Sequence, residues 1–357
     1  MRILMIAARY HPHTGGVEKH LRCVCRDLLR HGHEVAVVTR KHRADLPGRE
    51  LVEGVTVYRI PEEPLAGIAG TERIRPLLWF LAHSSLVRWA DVIHGHDYGV
   101  IWSWYRPYRF LMPWKPLTVT FHGYEGYPVP PRAVARRRRV ERLTRGNICV
   151  GDFIVKWYGT RADYVTYGGV DVARYASAGP PCGELPLRIA YLGRYEPDTG
   201  VGELVEAAAA HQRASGRRVS LHLFGQGSLE AALRERSAAE GIPESVSPPV
   251  EDTAAVLARF PVLFASGYLT ILEGLCAGRI VFGYYANPLR EDYLRLHPAA
   301  KSLVICGGAA DVVRGLARCD EDLPGACRAS EPGWEWARQQ TWDAVARLYL
   351  RLWGAPA

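Results

Sequence analysis

The sequence predicts an α/β protein of two Rossmann-like, doubly wound domains facing a central cleft. Three observations point there. The chain has 357 residues, more than one ordinary core of about 100–200 residues accommodates. Short apolar, β-rich runs alternate with helical patterns along most of its length, as they do where helices cover a parallel sheet. That alternation stops once, in DVARYASAGPPCGELP over 171–186, a Pro-, Gly- and small-residue stretch of the kind that links domains. The expected division is a first domain over 1–170, a linker over 171–186 and a second domain over 187–333, followed by a closing helix over 334–353.

In the first half the strands read as 2–7, 34–39, 55–60, 91–95, 117–121, 147–150 and 163–167, with helices filling the gaps. The first of these, in MRILMIAARYHPHTGG, is shorter than a signal-peptide core and has no small-residue cleavage site, so it reads as a buried strand. A second series follows the linker, with strands at 187–193, 219–225, 262–265, 280–284 and 303–306. The last segment, 334–353, has Trp and Leu on one side and reads as one long helix. No apolar run approaches the roughly 20 residues that span a bilayer, and no repeat with a period of 20–50 residues is present.

Hydrophobic residues make up 48% of the chain and charged residues 23%, enough apolar surface for packed cores. The formal charge is +8 and only five residues are lysine. Arginine therefore carries the charge, and its fork suits phosphorylated ligands or lipid headgroups. Asparagine occurs only at Asn147 and Asn287, a composition that hints at a thermophilic source. The eight cysteines show no paired CxxC spacing with histidines, which argues against a zinc site. Buried free thiols are expected, with a disulfide among Cys306, Cys319 and Cys327 as the alternative.

Doubly wound sheets bind ligands at the carboxyl ends of their strands, so the chemistry is sought just after each strand. In HTGGVEKHL, which holds His13, Gly15 and Gly16, two glycines open a helix whose free amides suit a phosphate or hydroxyl; a plain tight turn is the alternative. DVIHGHD ends a strand in His94, His96 and Asp97. The two histidines are read as pointing to opposite faces, which disfavours a shared metal; one is expected at the cleft edge and the other as a satisfied structural residue. TVTFHGYE ends a strand in His122, Gly123 and Tyr124, placed for a polar substrate. YLGRYEPDTG contains Gly193, Arg194 and Thr199; Arg194 follows a strand directly, where a fixed cation neutralises a diphosphate, or else pairs with Glu196. In YLTILEGLCAG a helix near Leu269 and Thr270 carries Glu273 among apolar neighbours, a costly carboxylate unless ribose hydroxyls or the helix dipole engage it.

Taken in order, GGVEKHL, DVIHGHD, TFHG, YGGVD, GRYEPDTG, LFGQGSLE and LEGLCAG resemble the retaining glycosyltransferases of family 4, which have the GT-B fold. The resemblance spans nearly the whole chain. It implies that Arg194 stabilises the donor diphosphate with the amides of Leu269 and Thr270, that Glu273 holds the nucleotide ribose, and that His122 contacts the transferred sugar. Gly16 would form the phosphate- or acceptor-facing turn, and the terminal helix would cross back to the first domain. It implies a nucleoside-diphosphate sugar as donor, a glycan or lipid-linked acceptor, no cofactor and no obligatory metal. Two positions depart from the family: Thr199 stands where a lysine is usual, and Ala265 where a glutamate touches the donor sugar. These motivate a second reading, a non-catalytic nucleotide-sugar-binding protein that kept the fold.

The run PRAVARRRRVERLTR holds seven arginines, among them Arg136, Arg137, Arg138 and Arg139. With the aromatic stretches LLWFLAHSSLVRW and VIWSWYRPYRFLMPW it resembles the membrane-docking surfaces of GT-B enzymes that use lipid-linked acceptors. Arginine is drawn to anionic headgroups, and Trp and Tyr favour the interface. A cytoplasmic protein, peripheral on that face of the membrane, is the expectation. No nucleic-acid motif accompanies the charge, so no nucleic-acid partner is expected.

Overall fold

A computed structural model describes residues 1–62, 74–123, 126–175, 187–242 and 244–355. They form two compact units, Met1–Thr166 with Trp342–Ala357, and Tyr167–Thr341.

Among its described residues the first unit holds β1 (Arg2–Ile6), β2 (Glu34–Lys41), β3 (Arg49–Val52), β4 (Val55–Pro61), β5 (Val92–His96), β6 (Leu117–Phe121), β7 (Asn147–Val150) and β8 (Tyr164–Thr166). Their order in the sheet is β3-β4-β2-β1-β5-β6-β7-β8. All neighbours pair in parallel except β3 and β4. The central strands are apolar on both faces, as a sheet covered by helices demands; Ile3, Leu4, Met5 and Ile6 are fully buried. The sequence does not announce β3, whose residues RELV alternate between exposed and half-buried. It is an edge strand, turned back on β4 through Glu53 and Gly54, both at positive φ, the conformation that two-residue hairpins require.

The second unit holds β9 (Arg188–Leu192), β10 (Ser220–Phe224), β11 (Glu244–Ser247), β12 (Val262–Ala265), β13 (Ile280–Tyr284) and β14 (Leu303–Cys306). The order is β11-β10-β9-β12-β13-β14, and every pair is parallel. Strand order reverses between β9 and β12 here, and between β1 and β5 in the first unit. Such reversals leave a crevice at the carboxyl ends of the two strands. Cys306, Cys319 and Cys327 are buried free thiols.

The units divide at Thr166/Tyr167 rather than after residue 170. Residues 167–175 pack into the second unit: the Tyr167 hydroxyl donates to the Leu296 carbonyl at 3.0 Å, Arg174 pairs with Asp252 at 3.0 Å, and Tyr175 Oη lies 2.8 Å from Thr253 Oγ1. Residues 176–186 of the expected linker lie outside the described residues. The expected helix over 334–353 is two helices. Leu323–Ala337 closes the second unit and Trp342–Leu352 belongs to the first. Between them the chain is held open by a bridge of Thr341 to Val170 and by the Val170 amide donating to the Gln340 carbonyl at 2.8 Å.

Candidate functional site

In the second unit, the loop after β9 is built by close backbone approach. The Gly193 amide donates to the Phe224 carbonyl at 3.2 Å and the Tyr195 amide to the Gln226 carbonyl at 2.9 Å, so the loop lies against the one after β10. A Cβ on Gly225 would stand 1.8 Å from the Gly193 oxygen, and one on Gly227 2.4 Å from the Tyr195 oxygen. The FGQG sequence is thus glycine because two backbones touch. The Arg194 carbonyl accepts from the Tyr191 hydroxyl at 2.5 Å and from Thr199 Oγ1 at 3.0 Å. Thr199 is buried, and its single hydroxyl proton is shared with the Glu196 carbonyl, 2.7 Å from Oγ1. Expected as a donor-binding residue, Thr199 instead spends its hydroxyl on fixing the loop.

What this rigid loop presents is the Arg194 side chain, 63% exposed, with Nη2 3.2 Å from Asp198 Oδ2. Asp198 is its partner, not Glu196. The Glu196 carboxylate accepts from the Ser228 amide and hydroxyl at 3.1 and 2.7 Å, and these hydrogen bonds hold it below the usual carboxylate range. An ion pair this exposed is weak, which leaves the guanidinium open to an anionic ligand.

Next in the sheet, β12 leads through Gly267 into the helix Tyr268–Cys276, which has no side-chain cap. The Tyr268 amide donates to the Tyr293 hydroxyl at 2.5 Å and the Ile271 amide to the Gly267 carbonyl at 3.0 Å. The amides of Leu269 and Thr270 have no partner among the described hydrogen bonds. Two unspent donors at the positive end of a helix dipole form a ready anion site. Glu273, one turn further, is 7% exposed, and Ala265 at the end of β12 is fully buried.

In the first unit the helix Gly16–Arg30 follows β1, with Gly15 as its N-cap. The space beside Gly16 is open, but a Glu18 carboxylate oxygen lies over the helix start, 2.3 Å from where a Gly15 Cβ would be. His13 Nδ1 is 3.2 Å from the same carboxylate and Arg9 Nη1 is 2.6 Å from His13 Nε2. The chain's own acid thus lies against Gly15 at the helix start.

His94 and His96 share a face of β5, contrary to expectation. Residues two apart on a strand always do, and their rings lie 5.2 Å apart. Both are buried rather than at a cleft edge. Trp353 Nε1, a donor only, reaches His94 Nδ1 at 3.3 Å as well as Thr118 Oγ1 at 3.0 Å, so Nδ1 is the accepting nitrogen and a chain runs one way: Thr118 to His94 Nδ1, His94 Nε2 to Thr120, Thr120 to Tyr349 Oη, and Tyr349 to His20 Nε2, with spacings of 2.8, 2.8, 2.7 and 3.0 Å. His94 is therefore the structural histidine. His20 was not singled out from sequence, since it lies mid-helix in GVEKHLRC; an inward-facing position on an amphipathic helix is the only signal it leaves.

His96 Nδ1 lies 2.9 Å from His122 Nε2. The His122 amide donates to Asp97 Oδ1 at 2.9 Å, and Asp97, at φ 67°, clamps the ends of β5 and β6. Asp97 thus positions His122. Burial drives all four imidazoles toward the neutral form: His20 down to about 3, and His94, His96 and His122 well below the usual histidine value. Neutral rings donate and accept hydrogen bonds without adding charge. Tyr124 lies outside the described residues.

The arginine-rich segment is the helix Pro131–Leu143. Its buried stripe is Ala133, Arg137 and Val140, so Arg137 does not face outward as expected. Its guanidinium lies 4.2 Å from the Tyr158 ring centroid and 4.8 Å from that of Phe121, a buried cation held among aromatic faces. Arg136, Arg138 and Arg139 are exposed. Beside them Arg139 and Arg142 help line an open cavity of about 640 Å³ with Trp102, Arg106 and Phe110, and Phe110, Leu111 and Trp114 are 70%, 58% and 65% exposed. No helix among the described residues is long and apolar enough to cross a membrane.

Comparison with known proteins agrees with this geometry. Residues 14–174 match the family model of Glycosyltransferase Family 4. Among curated relatives, the GDP-mannose:cellobiosyl-diphosphopolyprenol alpha-mannosyltransferase of Xanthomonas campestris is 25% identical, over 89% of this chain and 87% of its own. Among solved structures, sucrose-phosphate synthase from Thermosynechococcus elongatus superposes with a TM-score of 0.76 at 16% identity, covering 99% of this chain and 100% of that one. Anabaena HepE, solved with UDP and glucose, gives 0.71 at 14% identity, with 98% of each chain covered. With two parallel sheets in the Rossmann order and loops at their carboxyl ends, the chain has the GT-B fold of glycosyltransferases, and its residues 14–174 resemble Glycosyltransferase Family 4.

Proposed function

We propose that the protein transfers a sugar from a nucleoside diphosphate to a hydroxyl of a glycan or lipid-linked acceptor, with retention of configuration at the anomeric carbon. The observation that carries this reading is that the exposed Arg194 guanidinium and the unspent amides of Leu269 and Thr270 follow the carboxyl ends of the neighbouring strands β9 and β12. These groups meet the charge that develops on a departing diphosphate, and need no metal ion to do so. Glu273 receives the ribose hydroxyls. The bond from the anomeric carbon to the phosphate oxygen breaks, the acceptor oxygen bonds to the same face, and its proton passes to the departing diphosphate. In the first unit His122, held neutral and fixed by His96 and Asp97, offers a hydrogen bond to a sugar hydroxyl.

The relative that acts on a diphosphopolyprenol and the structure that contains UDP support a nucleotide-sugar donor and a lipid-linked acceptor. Arg194→Ala and Glu273→Ala are each expected to lower kcat/KM at least about tenfold, the scale of one lost charged contact of 1.4 kcal/mol or more. Steady-state kinetics with the preferred donor checks this, and an unchanged value in either variant removes that residue from the site.

The exposed Phe110, Leu111 and Trp114 beside Arg106, Arg139 and Arg142 favour a peripheral position on the cytoplasmic face of a membrane. Each arginine near an anionic surface contributes about 1 kcal/mol, and the rings suit the headgroup layer. The protein is expected to float with vesicles containing phosphatidylglycerol but not with pure phosphatidylcholine, and to be released by high salt. Equal flotation with both vesicle types would rule out the electrostatic part. The non-catalytic alternative rests on Ala265 and Thr199; Thr199 has a structural task in the loop, which weakens half of that case.

A further inference from the structure

A nucleoside diphosphate brings between two and three negative charges, and Arg194 supplies one positive charge. The structure holds a second cation at the same place. Arg290 lies in the first turn of the helix Pro288–Arg295, which follows β13 and is capped by the Asn287 side chain. In the sheet β9, β12 and β13 are consecutive neighbours, so the loops bearing Arg194 and Arg290 flank the one that opens the helix Tyr268–Cys276. Arg290 Nη2 lies 3.9 Å from Asp198 Oδ2, the oxygen that Arg194 Nη2 reaches at 3.2 Å. One carboxylate thus sits between two guanidinium groups.

Arg290 is also the better held of the two. Its side chain is 18% exposed against 63% for Arg194, and its guanidinium lies 5.1 Å from the Tyr293 ring centroid. Tyr293 in turn stacks on Tyr268 at 3.6 Å and accepts the Tyr268 amide through its hydroxyl. The guanidinium is thereby tied to the helix start whose next two amides are unspent. Preorganised donors of this kind lose little freedom when an anion arrives.

We propose that Arg290 is a second diphosphate-binding cation of the donor site, and that Asp198 stands in for a phosphate group, holding both guanidinium groups until the donor displaces it. This rests on reading the second unit as the donor-binding one. Arg290 takes the duty that Thr199, with its hydroxyl committed to two carbonyls, does not perform.

Isothermal titration of the full chain with UDP, GDP, their monophosphates and nucleosides, and inorganic pyrophosphate tests it. Arg290→Met keeps the stem that packs on Tyr293 and removes the charge; Arg290→Lys keeps the charge and loses the fork. Arg290→Met is expected to weaken the preferred diphosphate at least tenfold, to leave nucleoside affinity within twofold and to leave Tm unchanged. Arg290→Lys is expected to recover part of the loss, and Asp198→Asn to bind the diphosphate as tightly as the wild type or more so. Diphosphate affinity within twofold of wild type in Arg290→Met, with Arg194→Ala impaired, overturns the role of Arg290 alone. A wild-type protein that binds neither a diphosphate nor pyrophosphate overturns the donor-site reading, and Arg290 with it.

Discussion

Gly225→Ala is expected to cost the protein both its donor site and several kcal/mol of stability. The added methyl would stand 1.8 Å from the Gly193 carbonyl oxygen and 3.1 Å from the Tyr195 ring. The nearer obstacle is backbone, so no side chain can swing aside, and the loop carrying Arg194 has to move. That loop is held by the Gly193 to Phe224 and Tyr195 to Gln226 hydrogen bonds, which a displacement of about 1 Å breaks. Overpacking alone costs about 1–3 kcal/mol and the lost hydrogen bonds about 1 kcal/mol each. Diphosphate affinity is expected to fall more than tenfold, because the guanidinium is no longer presented where the amides are. Gly202→Ala serves as control: it lies in the helix Val201–Ser215 with nothing within 4 Å of the new methyl, and is expected to be neutral or stabilising by up to about 1 kcal/mol. Thermal unfolding and diphosphate titration of both variants check this. Wild-type stability and affinity in Gly225→Ala would show that the backbone contact does not set the site.

Acid is expected to destabilise the first unit well before its carboxylates titrate. His20, His94 and His96 are buried and His122 is half-buried, each neutral with a folded pKa depressed by desolvation below the unfolded value near 6.5. Below pH 6.5 the unfolded chain therefore binds protons that the folded one refuses. Their neutral burial stabilises fully above pH 6.5 and is lost progressively as pH falls, down to about 3 for His20. Each such group costs about 1.4 kcal/mol per pH unit within that window. All four shifts have the same sign, so their losses add in the same direction as the pH falls from 6.5 toward 5. The buried Arg137 adds repulsion toward a charged His122. The chain through Thr120, Tyr349 and Trp353 cannot accommodate the extra proton either, since Trp353 and Thr118 already aim donors at His94 Nδ1. Urea unfolding at half-unit steps from pH 7 to 5, read by tryptophan fluorescence, is expected to show a steep loss over the lower three steps. Constant stability across that range would mean that the four rings are hydrated or already charged at neutral pH.

Much of this was legible where the physics is local. The strands at 117–121, 147–150, 262–265, 280–284 and 303–306 were read with the bounds the structure has, because apolar and β-branched residues dominate buried parallel strands. The edge strands Arg49–Val52 and Glu244–Ser247 were missed, being four residues each and largely polar, which leaves little hydrophobic signal. In the donor loop Arg194 was legible from its place directly after a strand. Arg290 was not, since nothing in ANPLRED sets one arginine apart from other helix-surface arginines; only the neighbouring order of β9, β12 and β13 brings it to Asp198. The histidines at 94 and 96 were seen but assigned to opposite faces, which strand geometry forbids. Inside the arginine run, Arg137 turned inward because it shares a helical stripe with Ala133 and Val140, a pattern that the density of charge around it obscured.

The most direct measurement is of transfer itself. The purified chain would be incubated with a panel of nucleoside-diphosphate sugars and a membrane-lipid extract, and the glycosylated product and released nucleoside diphosphate quantified together. The expected result is one preferred sugar appearing in the lipid or glycan fraction in an amount equal to the diphosphate released, its anomeric configuration by NMR the same as the donor's. Tight donor binding with no product and no diphosphate released, across every acceptor fraction, would contradict a transferase and leave a binding protein in its place.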